Sequence, residues 1–362
     1  MPSNIRTTNR SRLRYRVRAV DLFCGAGGLT HGLIKAGVDV QAGVDCVSSC
    51  RYAYSHNNNA VYLQRDIRDL HGDDLRLYLT KKRSNQEVTL LAGCAPCQTF
   101  SSYNRKANSS DPRWHLLGEF LRLIKETTPD LVTMENVPEL AGKDVFLSFV
   151  NGLKTLGYGE PSWKIVLCSE YGLPQHRRRL VLLASRLGPI EILNPKQFRA
   201  QPATVRDAIG SLPKVAAGAV DAHDPLPRTF ALSELNLQRI RASKPGGTWK
   251  DWPEELRCPC HRKASGSSYR SVYGRMCWDQ PSPTITTQFV NYGTGRFGHP
   301  EQDRALTLRE AALLQSFPSN YQFIAPGQEI IISHIAQMIG NAVPVVIGEL
   351  IGKSIFTHLK SL

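Results

Sequence analysis

Residues 90–104 read LLAGCAPCQTFSSYN, with two cysteines three positions apart and a proline directly before the second. Three chemistries suit such a pair. As half of a zinc site, C-x-x-C needs a second pair. The other cysteine cluster is CPCH, Cys258 to His261, whose C-x-C-H spacing is not the usual finger pattern, so no metal site is expected. A redox pair of the thioredoxin kind sits at a helix N-terminus in a much smaller fold. The third chemistry is nucleophilic: Pro96 fixes the backbone just ahead of Cys97 and holds it out on a rigid loop, where a thiolate can attack a substrate. Cys94 better fits a buried, inert cysteine.

Other residues offer chemistry of a matching kind. Glu135 in TMENVPEL stands at a strand end before Pro138, where a carboxylate can hydrogen-bond a substrate ring and share a proton with it, or simply be a surface turn acid. YGLPQHRRRLVLL presents Gln175, Arg177, Arg178 and Arg179 just before an apolar strand. Alternation places Arg177 and Arg179 on one face, as a basic strand edge, as phosphate contacts or in the cleft. In DLFCGAGG, Gly25, Gly27 and Gly28 let the backbone approach a ligand closely and start a helix, or form a tight turn with none. The spacing is not G-x-G-x-x-G, which disfavours a dinucleotide. Asp45, ending a strand in AGVDC, suits the two hydroxyls of a ribose. Asp66 in QRDIRDL suits the amine of an adenine. Together they describe an adenosine-containing cofactor without phosphates.

These residues need a scaffold that gathers strand ends. YRVRAVDLF reads as a strand stopped by CGAGG, LTHGLIKAG as a helix stopped at Gly37, VDVQAGVDC as a strand and SSCRYAYSHN as a helix. EVTLLAGCAPC, PDLVTMENV and RRLVLLASR continue the series. Alternation of this kind implies βαβ units and a mostly parallel sheet, which binds ligands at the carboxyl ends of its strands. The loops FCGAGG, GCAPCQTFS and MENVPEL all fall at such ends. Regular alternation fades from about residue 191. RALTLREAALLQSF then reads as an amphipathic helix, and IAQMIGNAVPVVIGELIGKSIF as apolar helix returning to the first domain.

Composition sets the remaining bounds. The 362 residues, 41% hydrophobic, suffice for a large domain and a smaller one. No uninterrupted apolar run of about 18 residues occurs, so no membrane span is expected. The first residues lack an apolar stretch of secretory length, so no leader is expected either. Nine irregularly spaced cysteines fit reduced thiols in a cytoplasmic setting. Of the net charge of +14, the first 18 residues supply six arginines and no acid, and residues 191–300 carry 15 basic against nine acidic side chains. A polyanion is the expected partner.

The ordered set DLFCGAGG, GCAPCQTFS, MENV, QHRRR, LTLREAALLQSFP and GNAVP resembles the DNA cytosine-5 methyltransferases, of the bacterial restriction-modification type, over nearly the whole chain. The resemblance implies an α/β fold: a Rossmann-like S-adenosylmethionine-dependent methyltransferase domain with a smaller, loop-rich target-recognition domain. The expected division is a basic arm at 1–18, a catalytic and cofactor-binding domain at 19–190, a recognition domain at 191–300, and a segment at 301–362 returning to the catalytic domain. Cys97 would add to cytosine C6, Glu135 would contact N3 and the exocyclic amine, and Arg179 would contact O2 with Arg177 beside it. Phe23, Gly25, Gly27, Gly28, Asp45, Asp66, Ile67, Pro96 and Asn341, the last on the final helix, would line the S-adenosylmethionine. Gln98, Ser101, Arg105 and Gln175 are expected DNA contacts, and Thr284 and Thr286 would order DNA-facing loops. The implied partner is double-stranded DNA, from which the target base is flipped out. A monomer is expected, with a cognate endonuclease acting on the same site without stable association.

Two alternatives stay open on sequence: a tRNA cytosine-5 methyltransferase, and a non-enzymatic DNA-binding protein on the same scaffold. The second calls for a damaged nucleophile loop or a missing Glu135, and neither is seen.

Overall fold

The computed structural model describes residues 15–79, 86–96, 115–219, 224, 226–263, 266 and 268–362. Two compact units divide them. The first comprises residues up to Val166, Arg178–Arg199 and Val345–Leu362; the second comprises Leu167–Arg177 and Ala200–Pro344. The chain thus enters the second unit briefly over Leu167–Arg177, returns to the first for Arg178–Arg199, and comes back to it again at Val345.

The first unit is built on a seven-stranded sheet. Its strands are β1 (Arg16–Leu22), β2 (Asp39–Asp45), β3 (Val61–Gln64), β4 (Glu87–Gly93), β5 (Leu131–Asn136), β6 (Ser162–Leu167) and β7 (Arg178–Ser185), in the order β3-β2-β1-β4-β5-β7-β6. The first five run parallel, and β7 runs antiparallel to β5. The central strands RVRAVDL and EVTLLAG are buried almost end to end, because helices cover both faces and leave no polar side to alternate with. The helices α1 (Gly28–Lys35), α2 (Cys50–Asn58), α3 (Gly72–Leu79), α4 (His115–Thr127) and α5 (Asp144–Thr155) connect the strands. Leu22, Leu91, Val132 and Leu182 from the sheet pack with Phe120 of α4 and Phe146 and Phe149 of α5. Each such side chain, fully buried, contributes about 1.5–3 kcal/mol.

The last helix, Val345–Lys360, fastens onto α1 with almost no side chain between the two. A Cβ on Gly32 would lie 2.1 Å from the Val345 carbonyl oxygen, and one on Gly348 would lie 2.5 Å from that of Leu29. Gly352 meets Ala36 in the same way. Because α1 begins in the glycine turn after β1, this glycine-on-glycine seam holds that turn in place.

The segment Ile332–Lys360 is long and apolar enough to cross a membrane by length and composition, but 78% of its most apolar window is buried inside the protein. It also consists of two helices, Ile332–Asn341 and Val345–Lys360, because Ala342 turns extended and Pro344 follows. Asn341 therefore ends the penultimate helix, in the second unit, and is not carried by the final helix.

Among its described residues the second unit has no named strand beyond the last residue of β6. Isolated bridges, such as Arg275 to Gly298, stand in for a sheet. The helix expected from residue 304 starts later, spanning Leu308–Leu314. Thr307 caps it, with Glu310 closing a capping box.

Candidate active site

The carboxyl edge of the parallel strands collects the polar residues of the first unit. After β1 the chain passes through three left-handed residues in five, Phe23 (φ 59°), Gly25 (φ 50°) and Gly27 (φ 93°), before α1 starts at Gly28. Phe23 is a strained choice for such a conformation, whereas the glycines adopt it freely. Beside Gly25 there is open space: a Cβ there would meet nothing within 4 Å. Asp45 at the end of β2 braces the turn, one oxygen accepting from the Gly25 backbone N–H at 2.9 Å and the other from that of Val47 at 3.0 Å. A carboxylate held at both oxygens by main chain keeps a fixed direction, with lone pairs left for a diol. These residues fit an adenosine-type cofactor, and Ile67, buried beyond β3, adds an apolar wall.

Asp66 is engaged by its own turn. Its carboxylate caps the short turn Ile67–Asp69 and is held by Arg68, Nε at 2.9 Å and Nη2 at 2.6 Å. Those hydrogen bonds hold its pKa down at about 2. Any amine it receives must use a lone pair that Arg68 leaves free. Arg122 on α4 fixes this corner by donating to the carbonyls of Ile67 and Leu70.

Glu135 lies inside β5, 2% exposed. Its Oε2 accepts from the Cys94 thiol at 2.8 Å. Its Oε1 lies 2.9 Å from Arg179 Nε, in an ion pair whose N–H is not aligned on that oxygen, so Oε1 is a buried acceptor without a hydrogen-bonded donor. The antiparallel course of β7 explains the meeting: Asn136 is opposite Leu180, which places Arg179 at the carboxyl end of β5. The neighbouring Asn136 donates through Nδ2 to the Ala95 carbonyl at 3.0 Å and accepts from the Val137 N–H, tying this strand end to the loop that carries Pro96. Cys94 and Asn136 are the functional neighbours missed by sequence reasoning; only their adjacency to Cys97 and Glu135 could have signalled them. Cys97, Gln98, Ser101 and Arg105 lie outside the described residues, as does most of the basic arm.

In the second unit the expected contacts prove to be braces. Strand β7 begins at Arg178, so the alternation argument does not reach Arg177. That side chain is buried and donates to the carbonyls of Ile285 and Ala342 instead of lying beside Arg179. Gln175 is fully buried: its amide donates to the Leu314 carbonyl and the Gln315 side chain and accepts from the Ile285 N–H, leaving no group for a DNA contact. Thr284 donates to the His176 carbonyl, and Thr286 accepts from the Gln288 N–H, so both order their local loops.

This frame, a doubly wound sheet whose strand ends hold a glycine turn and an arginine-paired carboxylate, is that of an α/β methyltransferase. Two solved structures share the fold. One is an E. coli prophage-encoded protein assigned as a DNA modification methyltransferase (TM-score 0.72, 22% identity, 95% of this chain and 99% of that one). The other is the S. pombe Dnmt2 methyltransferase (TM-score 0.63, 16% identity, 96% and 100%). The profile of the C-5 cytosine-specific DNA methylases matches residues 17–357, and the chain belongs to that family. It is 50% identical over 347 residues to the Type II methylase M.HgiDII of Herpetosiphon aurantiacus, covering 95% of this chain and 96% of that protein. It is 32% identical to the Type II methyltransferase M1.HphI of Haemophilus parahaemolyticus, covering 93% and 86%. The protein is a DNA (cytosine-5) methyltransferase.

Proposed function

We propose that this enzyme methylates C5 of a flipped-out cytosine in a short duplex site, as the modification partner in a Type II restriction-modification system. The observation that carries the reading is the Glu135 carboxylate: buried, charge-paired with Arg179, and left with an acceptor oxygen that no donor fills. A cytosine ring offers a matching edge, because its exocyclic amine and a protonated N3 both donate. Hydrogen bonds there draw electrons from the ring as Cys97 adds to C6, and C5 gains the nucleophilic character it otherwise lacks. Gly25, Gly27 and Asp45 would hold S-adenosylmethionine, which would supply the methyl group from its sulfonium. Loss of the C5 proton then expels the Cys97 thiolate and restores the aromatic ring. Asn136 keeps the Pro96 loop against the strand that carries Glu135, and Cys94 fixes the rotation of the carboxylate.

Removing the target base from the duplex costs a few kcal/mol, which phosphate contacts offset. A cytoplasmic monomer, with an endonuclease acting on the same site without a stable complex, is in keeping with the Type II relatives.

The test is transfer of labelled methyl from S-adenosylmethionine to duplex DNA and to tRNA, with bisulfite sequencing to locate the product. Methylation of cytosine C5 in one DNA sequence is expected. Glu135→Gln should lower kcat by about 10²–10⁴-fold with cofactor binding intact. Label found on tRNA alone would overturn the DNA reading, and a Glu135→Gln enzyme of near-normal kcat would remove that residue from the mechanism.

A further inference from the structure

The turn Cys258–Lys263 in the second unit gathers three soft ligands that the transfer reaction does not use. Cys258, Cys260 and His261 each bring one ligand atom to within 4.8 Å of the others. The backbone shapes this convergence. The His261 N–H bonds back to the Cys258 carbonyl at 2.9 Å and the Lys263 N–H to that of Cys260 at 3.3 Å, with Pro259 at the first helical position. Gly266 closes over the turn so tightly that a Cβ there would lie 1.9 Å from the Cys260 carbonyl oxygen.

The imidazole is fixed as well. It stacks on Trp249 with centroids 4.2 Å apart and planes 15° off parallel, with Trp252 and Tyr273 around it. His261 is only 7% exposed, yet its Nδ1 is buried with no hydrogen-bond partner. A buried ring nitrogen of that kind is left unsatisfied unless something outside the chain meets it. Both cysteines are free thiols.

We propose that Cys258, Cys260 and His261 bind a zinc-class ion through two thiolates and one imidazole, with a fourth position open to water. Thiolate and imidazole donors suit zinc, which needs no redox chemistry and accepts four ligands at tetrahedral angles. Sulfur atoms on one zinc stand about 3.8 Å apart, given bonds of about 2.3 Å. Small side-chain rotations close the observed spacing to that value. Bound there, the ion staples a loop-rich region to the ring stack of Trp249, Trp252 and Tyr273, where no sheet does so. Linear spacing hides the site, because C-x-C-H is not a finger pattern and the convergence comes from the turn.

The experiment uses the whole protein, stripped with chelator and offered Zn(II) or Co(II), with metal per chain measured by mass spectrometry. One equivalent of zinc is expected. The cobalt form should show the thiolate charge-transfer and tetrahedral d–d bands, and a Cys258→Ser, Cys260→Ser double variant should bind at least tenfold more weakly. A Cys94→Ser, Cys97→Ser double variant should keep the metal. If the Cys258, Cys260 variant fails to fold, wild-type alkylation decides: zinc should shield Cys258 and Cys260 from iodoacetamide while leaving the rate at Cys277 unchanged. The proposal is overturned by substoichiometric zinc, by metal that follows Cys94 and Cys97, by a Cys258–Cys260 disulfide in reduced preparations, or by no shielding.

Discussion

The two units are held together by different means. The first buries aliphatic strands beneath helices, and its turns are secured by glycine and by carboxylates on backbone N–H groups. The second has no comparable sheet among its described residues and is cross-braced by buried arginines. Arg177, Arg239, Arg275, Arg304 and Arg309 are each no more than 9% exposed. Arg275 donates to the carbonyls of Ile240, His299 and Gln302, and Arg304 forms a double hydrogen bond with the buried Glu310, both at 2.7 Å. Planar guanidinium groups with five donors satisfy loop carbonyls that a sheet would otherwise pair. A positive residue count in such a region therefore overstates the charge it offers to DNA.

The contrast is sharpest for buried charge, and the largest effect is expected where a paired charge is broken. Glu310→Gln leaves Arg304 uncompensated and should destabilise the second unit by about 3–5 kcal/mol in denaturant titration. A loss below 1 kcal/mol would show that the pair is dispensable. Asp21 in the first unit is the opposite case: fully buried, with one oxygen on the Thr30 hydroxyl and the other unpartnered. Burial raises its pKa from 3.8 to about 7. The folded state then holds a proton that the unfolded chain has released, so the stability this group contributes is complete below pH 3.8 and lost as pH rises through 7. Asp21→Asn should remove that slope and raise the melting temperature at pH 8, by up to roughly 4 kcal/mol of stability. An unchanged or lower value at pH 8 would contradict the assignment.

Smaller effects test the first unit's seams. Gly348→Ala pushes a methyl group into the Leu29 carbonyl and should cost about 1–3 kcal/mol, with weaker S-adenosylmethionine binding as α1 shifts the glycine turn. Cys94→Ala removes the donor to Glu135 and should slow transfer by about tenfold, whereas Cys94→Ser, which keeps a donor, should stay near the wild-type rate. Equal rates for the two variants would make Cys94 a packing residue only.

The same contrast governs what the sequence revealed. β1, β2, β4, β5 and β7 announce themselves as apolar runs, β1 stopped by the glycine turn and β2, β4 and β5 ending in Asp45, Gly93 and Asn136, and these ends locate Gly25, Asp45 and Glu135. The four residues of β3 are too few to show a period. α3, α4 and α5 are amphipathic but carry no chemical motif that marks them in the sequence. Alternation misplaced Arg177 because the strand begins one residue later. In the second unit Gln175, Arg304 and Arg309 look like surface groups in sequence, and only long-range partners such as Leu314 and Asp224 make them structural.

Covalent trapping tests the central claim most directly. The enzyme would be incubated with S-adenosylmethionine and duplex DNA carrying 5-fluorocytosine, whose fluorine cannot leave as a proton does. An SDS-resistant adduct is expected for the wild-type and Cys94→Ser proteins and none for Cys97→Ser, with the trapped fragments sharing one short sequence. An adduct that survives Cys97→Ser, or none on any duplex, would contradict the account.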